Sequence, residues 1–119
     1  MTIILDYARN TGSVIQIHTG SKKSRIYLIE KLVRYAGSGV LFHLVHMGNT
    51  ASGHFYLVPR LREWLEEGLN VVCDTAWARG FAVRWLFDLA ADSPLLSKSI
   101  MFASDEPWGI FQSELTKGG

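Results

Sequence analysis

A single cysteine, three prolines and a formal charge of +1 set the first limits on this 119-residue chain. One thiol, Cys73, cannot close a disulfide within the chain, and such cysteine usage agrees with a reducing compartment, so a cytoplasmic location is the expectation. Twelve Lys and Arg against eleven Asp and Glu leave no global charge to draw in nucleic acid or an anionic membrane surface. Long apolar runs are missing too. Val40 to Met47 is interrupted by His43 and His46 and falls well short of the ~20 residues that cross a bilayer. Met1 to Asp6 has no basic head and no extended apolar stretch, so a secretory signal is not expected. Internal repeats, low-complexity stretches and linkers are likewise lacking, and residues 1–119 read as a single domain.

What the chain does have is apolar mass. Hydrophobic residues make up 48%, enough to offset the ordering of one core. The charge is unevenly placed: Arg9, Lys22, Lys23, Arg25, Lys31 and Arg34 crowd the first 36 residues against Asp6 and Glu30 alone. Ile3 to Ala8 and Ser13 to Thr19 are β-rich runs flanking Asn10 and Gly12, a pattern that predicts an opening hairpin. Ile26, Ile29, Leu32, Val33 and Ala36 then recur at helical spacing after Ser21, a residue suited to an N-cap, and stop at Gly37. Gly39 to Met47 predicts a central strand. Leu57, Leu61, Trp64 and Leu65 predict a helix ending at Gly68 whose start Pro59 leaves open: it fits the first turn of a helix entered at Leu57 or Val58 and would bend one begun as early as Ser52. Asn70 to Thr75 predicts a strand, Ala78 to Leu89 a helix ended by Asp92-Ser93-Pro94, and Ser99 to Ala103 a last strand. Pro107 to Leu115 suits a short closing helix or an irregular arm. Strands alternating with helices predict a Rossmann-like, three-layer α/β fold, with a mostly parallel sheet, helices packed on it and the hairpin as an antiparallel edge.

In such a sheet ligands bind beyond the carboxyl ends of the strands. The residues expected there are His18-Thr19-Gly20-Ser21, His46-Met47-Gly48-Asn49, Asp74-Thr75 and Ser104-Asp105-Glu106. Thr19-Gly20-Ser21-Lys22-Lys23-Ser24 is the sharpest motif, since amides at a helix start and two lysines suit a phosphate. It is not a Walker A loop, because Ile17 and Lys22 stand where that pattern has glycines. A solvated, lysine-rich helix start accounts for the same residues. Gly68 to Gly80, with its Ala78-Arg79-Gly80 turn, resembles the strand and turn of Rossmann-like nucleotide-binding domains of the DNA-processing type, and Thr19-Gly20-Ser21 resembles their first phosphate-binding turn. The resemblance covers about half the chain and implies nucleotide binding. Phe81 and Ala82 depart from it where an acidic residue would follow.

The expectation is therefore a binding or regulatory domain for a phosphate-bearing ligand such as a nucleotide, held by Thr19, Gly20, Ser21, Lys22 and Lys23 with Asn49, Thr75 and Asp105 nearby. No motif demands catalysis, and no cofactor is expected. The rival is a protein-interaction module, an inhibitor or adaptor, that presents Arg25 and Arg34 on a basic helix face together with Trp77 and Trp108 to a larger protein. A hydrolase using His18 or His46 with Asp74 or Asp105 is a third reading. A shared metal site is not expected, because His43 and His46, three apart in a strand, would point to opposite faces. Cys73 reads as a small buried residue.

Overall fold

The computed structural model describes residues 2–48, 51–76 and 81–101. Four strands, β1 (Val14–His18), β2 (Leu41–Val45), β3 (Val71–Asp74) and β4 (Ile100–Met101), lie side by side in chain order, and every neighbouring pair is parallel. Helices carry the chain back between them: α2 (Lys23–Ala36), α3 (Ala51–Glu66), then α4 (Phe81–Ala91) with the short α5 (Pro94–Lys98). The architecture is thus α/β, built on a parallel sheet and consistent with a Rossmann-like arrangement.

The predicted hairpin does not form. Residues Thr2–Thr11 are a helix, α1, and β1 pairs with β2 in parallel instead of with an antiparallel partner. The physical reason lies in Leu5 and Ala8. Three positions apart, they would leave opposite faces of a strand but share one side of a helix, and both are buried. Tertiary packing outweighs the β preference of the Ile and Tyr residues around them. Arg9 Nη2 then donates to the Ala36 carbonyl at 2.8 Å, tying α1 to the end of α2, and Gly12 turns the chain into β1 with φ at +70°.

Register explains the core. Ile15 lies beside Phe42 and Phe42 beside Val71, while Ile17, Leu44, Cys73 and Ile100 form the next row. These rows pack against Ile26, Ile29 and Val33 of α2 and Leu57, Leu61 and Trp64 of α3 in one cluster. Burying each such aliphatic or aromatic side chain contributes about 1.5–3 kcal/mol. On the other face Val14, Leu41 and Met101 remain exposed among the described residues.

Packing and capping fix two further boundaries. α3 takes the early start, at Ala51, and continues through Pro59, because Gly53, His54, Leu57, Val58 and Leu61 are all buried on its inner side. After Asp92, between the helix stop and β4, the chain restarts as α5. Ser93 caps it, its Oγ accepting from the Leu96 amide at 3.3 Å, with Pro94 in the first turn where its missing amide costs nothing.

Candidate functional site

Three strand tips meet at one edge of the sheet. β1 ends in His18, β2 in Val45 and β3 in Asp74, and the chain after each one turns toward a helix. Thr19 is buried and clips the first two tips together. Its amide and hydroxyl both donate to the Val45 carbonyl, at 3.1 and 2.7 Å, and its Oγ1 accepts from the Gly48 amide at 2.7 Å. Thr19, expected to hold ligand, has its hydroxyl engaged in holding the backbone.

The turn it secures is strained. His46 and Met47 take consecutive left-handed conformations, φ +70° and +49°, each costing roughly 1–3 kcal/mol for a residue with a side chain. Several contacts hold this turn in place. Asp74 Oδ1 accepts from the His46 amide at 3.2 Å, and the His54 Nδ1 donates to the Met47 carbonyl at 2.6 Å. Gly48 and Gly53 touch backbone to backbone, so that a Cβ built on Gly53 would lie 1.8 Å from the Gly48 oxygen. Burial holds the buried His54 imidazole below its ordinary pKa, the Met47 carbonyl opposing in part.

Asp74 is the second organiser. Its side chain is almost fully buried, and Oδ1 also accepts from the Ala76 amide at 3.0 Å, while Oδ2 takes the His43 Nε2 at 2.6 Å. Against an ionised carboxylate, which can only accept, the His43 Nε2 is the donor, and the Gln16 Nε2 lies 3.2 Å from the His43 Nδ1. His43, not His18 or His46, is therefore the imidazole paired with Asp74. The register placing His43 next to Val72, two residues before Asp74 and on the same face of the sheet, creates this contact, and nothing in residue spacing alone announces it. His18 and His46 instead meet each other edge to face, ring centroids 5.2 Å apart. Cys73 turns to the helix side of the sheet, its thiol pushed up in pKa by burial and then by Asp74, which makes it a poor nucleophile.

Around the start of α2 the side chains are cationic. Lys22, and not Ser21, is the N-cap, and no side chain bonds to the cap among the described residues. The Arg25 side chain lies over Gly20, where a Cβ would come within 2.9 Å of its Cδ. Lys23 Nζ stands 5.3 Å from the Tyr56 ring centre, and the Arg60 guanidinium, missed in the sequence reading, stacks on the same ring at 3.6 Å. Arg9, Arg34, Arg62 and Arg84 all reach carboxylates. Among the described residues Lys22, Lys23, Arg25 and Arg60 are in no ion pair.

The structure therefore gathers Thr19, Gly20, Ser21, Lys22 and Lys23 at one sheet edge with Thr75, which follows Asp74 at the β3 tip. Asn49, Asp105, Trp77 and Trp108 lie outside the described residues, as does Ala78-Arg79-Gly80, on which the expected resemblance rests. Arg34, expected in a partner interface, sits at the far end of α2. There Glu67 holds its guanidinium above the usual pKa, chiefly by hydrogen bonding. Among the described residues no group of three or more His, Cys, Asp or Glu is placed to hold a metal ion, and no helix is long and apolar enough to cross a membrane. No family model, curated protein or solved structure matches the chain.

Proposed function

We propose that the chain is a binding or regulatory domain for a phosphate-bearing ligand such as a nucleotide, held over the β1–α2 turn. The carrying observation is the concentration of Lys22, Lys23, Arg25 and Arg60 around an uncapped helix start, with no carboxylate to balance them among the described residues. Like charges brought together repel, and a dianionic phosphate relieves that repulsion while accepting from the helix-start amides. Gly20 lets Arg25 lie close to the turn, and the Thr19 clip keeps the turn in a fixed position beside His18 and His46.

Thermal unfolding with inorganic phosphate, ADP and ATP tests this reading. A ligand specific to the folded state adds about 2.7 kcal/mol of stability at a hundredfold excess over its dissociation constant, a rise of several degrees. The rise should saturate, vanish in the Lys22→Ala, Lys23→Ala double variant, and survive Lys98→Ala. An unchanged midpoint with all of these ligands would dismiss the proposal.

A second reading, a protein-interaction module, is favoured by one observation. Tyr27, Leu28 and Tyr35 on the outer side of α2 are each more than half exposed, as are Ile3, Ile4 and Tyr7 on α1. Such apolar exposure suits a macromolecular partner. If this surface is used, Leu28→Glu removes a stoichiometric complex recovered from lysate and leaves phosphate binding intact; recovery of the complex with that variant would rule this surface out.

A further inference from the structure

A groove of about 310 Å³ runs along the other half of α3, where it faces α4 and α5, and the phosphate reading makes no use of it. Its floor is aliphatic throughout: Val58 and Leu96 are fully buried, Leu89 is half-buried, and Pro59 contributes a rigid ring and no amide. Its rim is charged. Arg62 Nε meets Glu66 Oε1 at 3.2 Å one helical turn along, so these two cancel, whereas Glu63 on the same rim is in no ion pair among the described residues. The groove thus presents apolar walls under one uncompensated negative charge.

We propose that this groove binds a small primary ammonium compound with an aliphatic tail. The tail lies against Pro59 and Leu89, the part of the lining that still meets water, removing their apolar area from it, and the ammonium sits beside Glu63. A carboxylate of the same shape would meet net negative charge, and a neutral alcohol would gain the apolar contact alone. The volume lies at the lower end of the roughly 300–1,000 Å³ typical of small-molecule sites, which favours a short chain over a fused ring system.

Titration of the full chain with hexylammonium, hexanol and hexanoate, followed by methyl NMR at Val58, Leu89 and Leu96, tests the site. Hexylammonium should shift these methyls at the lowest concentration and hexanoate at the highest. Glu63 is exposed, so Glu63→Gln leaves the fold intact; it should weaken hexylammonium about fivefold, the worth of one surface charge pair near 1 kcal/mol, and leave hexanol unchanged. Glu63→Lys should reverse the order of the two ions. Equal affinity for all three compounds, shifts away from the groove, no binding of any compound, or insensitivity to both Glu63 variants would each overturn the proposal.

Discussion

At the end of the α2–α3 pair remote from the strand tips, Glu30 accepts from the Trp64 indole at 2.6 Å and faces Arg34 at 3.5 Å, and Arg34 reaches on to Glu67. At the strand-tip end of the same two helices, Lys22, Lys23, Arg25 and Arg60 crowd around Tyr56 and Gly20 without carboxylate partners, next to two residues in left-handed backbone conformations. One end joins a cation to carboxylates in ion pairs. The other collects cations that lack such pairs among the described residues, on a backbone held in place by buried contacts. An imbalance of this kind is relieved when something outside the chain supplies the missing partner, and the contrast between the ends is what the phosphate proposal rests on.

That contrast can be broken at its foundation first. Gly53→Ala drives a carbon into the Gly48 carbonyl, and the expected loss exceeds about 3 kcal/mol of unfolding free energy in a denaturant titration. A loss below 1 kcal/mol would show that the turn yields and is not a rigid base. Asp74→Ala comes next, since it strips the His43 ring and the His46 and Ala76 amides of their buried acceptor; about 3 kcal/mol should disappear by the same measurement. Trp64→Phe, which deletes one bond to Glu30 at the remote end, should cost about 1–2 kcal/mol and leave phosphate binding untouched.

A subtler expectation concerns pH. Burial disfavours the charged form of His54 in the fold, so the unfolded chain binds the extra proton more readily. Stability contributed by this residue should be full above the ordinary imidazole value of 6.5 and decline as pH falls below it, by at most about 1.4 kcal/mol per pH unit. The difference between the chain and His54→Gln in urea midpoints from pH 7.5 to pH 5 isolates that slope. A difference constant with pH would mean that His54 titrates equally in both states. The smallest effect belongs to the cations themselves. Replacing Lys22, Lys23, Arg25 and Arg60 with Gln should change stability by no more than about 0.5 kcal/mol each, and in the stabilising direction, while removing ligand binding. Clear destabilisation would assign them a structural role.

Much of this could be read from residue order. The β-rich run of β2, its two apolar faces and the helical stripe of Ile26, Ile29, Val33 and Ala36 predicted the central strand and α2, because period and composition agreed there. α1 was misread because its local composition favours a strand, and only the later contacts of Leu5 and Ala8 decide otherwise. The β1–α2 turn was visible as a motif. The His43–Asp74 pair was not, since it depends on how parallel strands line up across some thirty residues of sequence, and the approach of Lys23 to Tyr56 was not, since it depends on how α2 packs on α3; Arg60 and Tyr56, four apart in one helix, were within reach of local spacing. Ser93 and Pro94 did carry an explicit helix start. Their stop-like appearance concealed it.

The meeting of Gly48 with Gly53 has an outcome for heredity. Two backbones that lie against each other with no room for one carbon admit neither a gradual series of substitutes nor a compensating exchange between the two positions. In a library of all single variants selected for folded chains, both columns should empty at once, whereas those of Lys22 and Lys23 should fill freely until the selection is for binding.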